Sequence, residues 1–161
     1  VARIFKELEL PRVFPFLDVG TGKGRNLILA AEYGFSQVIG VDFSRELIAI
    51  AEKNIACCES IFKRNEVQAK LICTDILKYE LSREQIFFLY NPFEESVLKE
   101  FLNRLRQSLT RHPREVWLIY YHPVHKNAVS TFSEFARVRE YSLDGMDCVI
   151  YRARQLDSPV E

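Results

Sequence analysis

Three glycines at alternate positions, in Asp18-Val19-Gly20-Thr21-Gly22-Lys23-Gly24, follow an apolar run and precede a segment of helical pattern. No other feature of the chain limits the fold as much. Phe14 to Val19 reads as a short buried strand, the glycines allow the backbone to turn tightly beside a ligand, and the helix begins after Lys23. A strand, tight turn and helix in succession belong to an open α/β sheet, whose ligands bind outside the carboxyl ends of the strands. A second apolar run, Gln37 to Phe43, carries Asp42 near its end. A carboxylate about twenty residues beyond the glycines can accept hydrogen bonds from both hydroxyls of a ribose, each contributing roughly 1.5–3 kcal/mol, so the pair of segments reads as an adenosine site. The plainer reading of Asp42 is a solvated strand-end carboxylate or helix cap.

The glycine spacing discriminates among cofactors. A dinucleotide fingerprint needs a third glycine where this chain has Arg25, a long charged side chain that prevents close approach of helix and strand. A P-loop needs Ser or Thr after Gly-Lys and an earlier glycine; Gly24 and Leu17 occupy those places. Both phosphate-binding readings fail.

The remaining segments continue the alternation of strand and helix. Ser44 is a good N-cap for a helix with Leu47, Ile48, Ala51 and Ile55 on one face. A third run, Ala69 to Thr74, ends at Asp75-Ile76, where aspartate is equally at home as a turn residue. The fourth, Gln85 to Tyr90, ends in Asn91-Pro92-Phe93, and the proline places Asn91 at the strand's carboxyl end. A strand-terminating turn with Phe93 in the core is the equal alternative. Glu94 to Arg111 predicts a helix with Val97, Leu98, Phe101, Leu102, Leu105 and Leu109 as a core stripe. Its cations, Arg104, Arg106 and Arg111, followed by His112 and Arg114, suit a helix C-terminus better than a phosphate site. Glu115 to Tyr121 is a fifth strand, leading to His122 and His125, the two histidines placed to act as a base; without a carboxylate partner visible in sequence, loop hydrogen bonding is their plainer role. Ala136 to Ser142 and Cys148 to Arg154 read as a hairpin around a five-residue loop containing Asp144-Gly145.

The D-V-G-T-G-K-G-R segment resembles the first motif of the class I S-adenosylmethionine-dependent methyltransferases, Y-N-P-F looks like a shortened form of the N-P-P-Y/F motif of the amino-group methyltransferases, and the resemblance extends over nearly the whole chain. It implies a Rossmann-like three-layer α/β/α fold with a seven-stranded, mostly parallel sheet of order 3-2-1-4-5-7-6, strand 7 antiparallel. S-adenosylmethionine would be held by Asp18, Gly20, Thr21, Gly22, Gly24, Asp42, Phe43, Asp75, Ile76 and Asn91. In the family's N-P-P-Y/F motif the asparagine oxygen and the next backbone carbonyl accept hydrogen bonds from an amino nucleophile while the aromatic ring stacks on substrate, so Asn91, Pro92 and Phe93 are the catalytic candidates. One proline of that motif is absent here. The implied activity is methyl transfer by direct displacement to a small-molecule or protein nucleophile, with nitrogen as the candidate atom. An NAD(P)-dependent oxidoreductase and a non-catalytic binding or scaffold domain of the same fold are the alternatives.

Composition agrees with one globular domain over 1–154 and a polar tail over 155–161. A chain of 161 residues buries roughly 70% of its unfolded surface without disulfide support. Four cysteines show no Cys-x-x-Cys pair or metal-ligand spacing; Cys57 and Cys58 are adjacent, and Cys73 and Cys148 lie in apolar runs expected to be buried. No metal site and no membrane segment are expected, and reduced thiols point to the cytoplasm. Net charge is zero, which ranks a nucleic-acid acceptor below a small molecule or protein. Ile4, Phe5 and Leu8 read as the last turns of an amphipathic helix, implying residues ahead of Val1.

Overall fold

The apolar runs become strands because β-branched and aromatic residues suit a surface covered on both faces, and the periodic segments between them become helices. The computed structural model describes residues 1–143 and 145–153. Its contacts divide the chain into two compact units, Val1–Tyr79 and Glu80–Glu161.

The first unit contains α1 (Ala2–Glu7), β1 (Phe16–Val19), α2 (Arg25–Tyr33), β2 (Gln37–Asp42), α3 (Arg45–Cys57), α4 (Glu59–Arg64) and β3 (Gln68–Cys73). Its strands are parallel, β1 pairing with β2 from Phe16↔Val38 to Val19↔Val41 and β2 with β3 from Gln37↔Gln68 to Asp42↔Cys73. The first strand starts two residues later than expected, because Phe14 N–H is drawn into a turn by Pro11 O and Pro15 has no N–H to donate. Phe5, Phe16 and Phe35 are fully buried, and Phe5 meets both other rings edge-on. Ser44 caps α3 as expected, its Oγ accepting from Leu47 N at 3.3 Å. Cys73 was expected to be buried but is exposed, since β3 is an edge strand whose residues Gln68 to Lys70 also face solvent.

The second unit contains β4 (Ile86–Tyr90), α5 (Glu95–Arg111), β5 (Val116–Tyr121), α6 (Lys126–Val129), β6 (Phe135–Leu143) and β7 (Met146–Ala153). Strand β4 pairs parallel with β5, while β7 pairs antiparallel with both β5 and β6. The apolar stripe of α5 is core, with Leu98, Phe101, Leu102 and Leu105 fully buried. The terminal hairpin is tighter than the expected five-residue loop: pairing extends to Leu143↔Met146, leaving two residues between the strands. Two residues including a Gly suit a hairpin between twisted strands. Arg154, Asp144 and the polar tail over 155–161 lie outside the described residues. The short helices α4 and α6 were not expected from the sequence pattern.

Taken together the strands have the order β3-β2-β1-β4-β5-β7-β6, as the resemblance implied. Among the described residues no helix is long and apolar enough to cross a membrane.

Candidate functional site

In the first unit the chain leaving β1 is held against the end of β2 by main-chain bonds. Gly20 N and Thr21 N both donate to Val41 O, at 2.9 and 3.0 Å. One turn further, Gly22 N donates to Asp42 Oδ2 at 2.9 Å, joining two residues twenty positions apart, and Ser44 N donates to Asp42 Oδ1 at 2.9 Å. The loop leaves on the far side through Lys23 O, which accepts from Asn54 Nδ2 on α3 at 2.9 Å. Gly22 adopts a φ of 54°, a left-handed conformation that side chains resist, and a Cβ placed there would meet nothing within 4 Å. The loop is therefore open at Gly22. At Gly40, by contrast, a Cβ would come within 2.7 Å of Leu27, 2.8 Å of Leu71 and 2.9 Å of Thr21, so glycine there is a packing requirement for α2 over the sheet.

Asp18 is only 1% exposed and accepts from Thr21 Oγ1 at 2.9 Å. Burial pushes its carboxyl up to about 7, against the opposing hydrogen bonds of Thr21 and Asn26. Its place among the expected cofactor contacts thus coincides with a role in holding Thr21, itself buried. Gly24 ends the loop with a φ of 78°, and Arg25 begins α2 exposed to solvent. Phe43 is 83% exposed directly beyond Asp42. Asp75 is exposed and closes a turn, its Oδ1 accepting from Leu77 N at 2.9 Å and its carbonyl from Lys78 N, while Ile76 is buried beside it. The structure thus joins Gly22 to Asp42 and Asp18 to Thr21 through direct hydrogen bonds.

The residues fit an adenosine group. Each oxygen of Asp42 accepts one backbone N–H, and a carboxylate oxygen has a second lone pair to offer, so the group retains capacity for two further donors. Two neighbouring hydroxyls of a ribose are such a pair.

In the second unit, Asn91 follows β4 with a φ of 39°, and its Oδ1 accepts from the Tyr120 hydroxyl at 3.0 Å. That hydroxyl in turn accepts from His125 N at 3.4 Å. Tyr120 is 1% exposed, and burial raises its hydroxyl above the ordinary tyrosine range, keeping it a donor. Phe93 lies half-buried against Phe101 of α5, with ring centres 5.9 Å apart. His122 is exposed with a φ of 52°, its N–H donating to Asp147 O. His125 has the carboxylate that sequence did not reveal: its Nδ1 lies 4.0 Å from Glu95 Oε2. The Lys99 ammonium, bonded to Glu95, holds that carboxyl below the usual range. Arg114, in the basic stretch, donates to Glu84 O, His112 O and Ser108 Oγ, which makes it a clamp on the loops around α5.

Tyr120, Asn54 and Glu95 were missed by sequence reasoning because their partners are 29, 31 and about thirty residues away. No signal in the sequence marked Tyr120, because it is brought to Asn91 by the register of β4 and β5, which arises only in the folded sheet.

A family model described as a methyltransferase domain matches residues 16–112. Among curated proteins there is no match. Solved structures similar to the chain include an RNA methyltransferase of Salinibacter ruber in complex with S-adenosylhomocysteine, at TM-score 0.65 and 19% identity over 99% of this chain and 92% of that one. A ribosomal protein L11 methylase of Lactobacillus delbrueckii superposes at TM-score 0.70 and 18% identity, covering 96% of this chain and 77% of the other. A glycopeptide N-methyltransferase in complex with S-adenosylhomocysteine gives 0.73 and 15%, covering 95% and 87%.

Proposed function

Since the chain belongs to the methyltransferase-domain family, we propose that its residues 1–154 act as one catalytic domain that transfers a methyl group from S-adenosylmethionine, by direct displacement, to a small-molecule or protein nucleophile. The observation that carries the reading is the pair of backbone donors, Gly22 N and Ser44 N, that orient Asp42 and leave each of its oxygens a free lone pair. Asp42 would take the ribose hydroxyls, Gly20 to Gly24 would frame the methionyl part, and Phe43, Asp75 and Ile76 would flank the adenine. Asp18 would act by holding Thr21. When bound, the cofactor supplies a methyl group made electrophilic by its sulfonium.

What the chain itself must do is modest. Holding two reactants in near-attack geometry supplies roughly 7–11 kcal/mol of a barrier, so the side chains need to position more than to ionise. Asn91 would orient the nucleophile, with nitrogen as the candidate atom. Its Oδ1 spends one lone pair on Tyr120 and keeps the other for an N–H donor. His125, beside Glu95, would receive the proton that the acceptor releases. The similar structures act on RNA, a ribosomal protein and a glycopeptide, so the fold alone does not select an acceptor. Zero net charge supports a small molecule or protein, and the exposed free thiols of Cys57 and Cys73 suit a reducing cytoplasm.

Calorimetric titration with S-adenosylhomocysteine tests the reading. Asp42→Ala is expected to abolish binding, and Asn91→Ala to bind within about threefold of the parent, because one hydrogen bond is a small part of such an interface. Equal affinity for the parent and Asp42→Ala would overturn the assignment.

A further inference from the structure

The N-P-P-Y/F motif that Y-N-P-F resembles has its stacking aromatic after the proline, but here that ring, Phe93, is turned against Phe101 on α5. A different ring is presented. Along β4 the side chains alternate, so Phe87 packs on Phe101 while Phe88 and Tyr90 lie on the opposite side. There they form a ladder with Tyr121 of β5: Phe88 and Tyr121 lie 6.3 Å apart at 30°, Tyr121 and Tyr90 5.2 Å apart at 28°. Exposure rises along it, from 0% at Phe88 through 7% at Tyr121 to 46% at Tyr90. The last ring is fixed at its far end as well, its hydroxyl 3.0 Å from Met146 Sδ, and His122 lies 6.3 Å away. An exposed tyrosine is ordinarily mobile; this one is held by a strand, a stacked neighbour and its hydroxyl, directly before Asn91.

From this we propose that Tyr90, not Phe93, is the platform on which the methyl acceptor lies, and that the acceptor is a planar aromatic molecule, uncharged or cationic. A ring pre-set in one plane loses little entropy on stacking, and it selects flat partners over bulky saturated ones. Charge narrows the class. Glu94, four residues beyond Tyr90, and Asp147, whose carbonyl accepts from the N–H of His122 beside the Tyr90 ring, are exposed carboxylates, while Glu95 is paired with Lys99, a balance that disfavours a polyanion. The inference rests on the methyltransferase reading only for the word acceptor; the stacking site stands on its own geometry.

The test titrates the full chain, with and without S-adenosylhomocysteine, with 2-naphthalenemethanol and its decahydro analogue, following binding by saturation-transfer NMR. The flat alcohol is expected to bind and the saturated one to bind at least about fivefold more weakly. Tyr90→Ala should weaken the flat probe about fivefold or more, Tyr90→Phe should retain it, and Phe93→Ala should leave it unchanged. Tyr90→Leu, which keeps an apolar contact with Tyr121, gives the same reading should Tyr90→Ala unfold. Equal binding of the two alcohols, loss on Phe93→Ala instead of Tyr90→Ala, or Tyr90-dependent binding of a ten-nucleotide RNA in place of the alcohol would overturn the proposal. Failure of S-adenosylhomocysteine to bind would sink the proposed function while the cofactor-free titration still decides the platform.

Discussion

In the first unit a carboxylate is steered by two backbone N–H groups, whereas in the second the Asn91 amide is steered by a tyrosine hydroxyl from the next strand. The former geometry follows from a short loop whose glycines can adopt left-handed φ values. The latter exists only because Tyr120 and Asn91 are brought together by the register of β4 and β5. Loss of the Asp42 carboxylate removes a charged acceptor and strands two backbone donors at once, whereas loss of the Tyr120 hydroxyl removes one neutral bond to Asn91.

The largest effect should therefore fall on the first unit. Asp42→Asn keeps the shape but offers only one acceptor oxygen, so either Gly22 N or Ser44 N loses its partner; affinity for S-adenosylhomocysteine should drop about a hundredfold or more in a calorimetric titration. Tyr120→Phe, the matching lesion in the second unit, should change that affinity by less than about threefold, and a loss as large as that of Asp42→Asn would erase the distinction between the two units.

Next in size is a pH effect confined to the first unit. The Asp18 carboxyl is raised to about 7 from its ordinary 3.8, so between those values the folded state binds more protons than the unfolded one, and stability falls as pH rises through the window. A tenfold change in proton affinity is worth about 1.4 kcal/mol, which puts the whole effect on the order of a few kcal/mol. Urea unfolding of the parent and Asp18→Asn should show the variant gaining on the parent from pH 4 to 7 and the gap levelling above it. A constant gap would mean that the buried group is charged throughout.

Packing should give a smaller change. Gly40→Ala forces a Cβ to within 2.7 Å of Leu27 and 2.8 Å of Leu71, which should cost about 1–3 kcal/mol in urea unfolding. Tyr120→Phe removes one buried hydroxyl that both donates and accepts and should cost about 1 kcal/mol, with no change in m-value. The least effect concerns the thiols: Cys57 and Cys73 should react with a disulfide reagent in the native protein, while Cys148, buried and pushed up to about 12, should react only on unfolding.

The same contrast explains what the sequence disclosed. Glycine spacing, the carboxylate at Asp42 and the N-cap at Ser44 were legible because each follows from local backbone chemistry, while the strand order was carried by the family resemblance. The exposure of Cys73 was not, because an apolar run reads alike at an edge and in a sheet interior. Phe93 illustrates the harder case. The Y-N-P-F segment sets two rings beside Asn91, but whether Tyr90 or Phe93 turns its face outward depends on Phe101 and Tyr121, which are contributed by other elements. The Tyr120 bond to Asn91 was hidden for the same reason, since nothing local to either residue specifies the register between their strands.

Thermal unfolding with and without S-adenosylhomocysteine, with NADH as the comparison ligand, tests the central claim most directly. Ligand at a hundred times its dissociation constant stabilises by about 2.7 kcal/mol, which for a chain of this size raises the midpoint by roughly 5–10 °C. A rise of that order with S-adenosylhomocysteine and none with NADH is the predicted result. No rise with S-adenosylhomocysteine, or a rise with NADH alone, would contradict it.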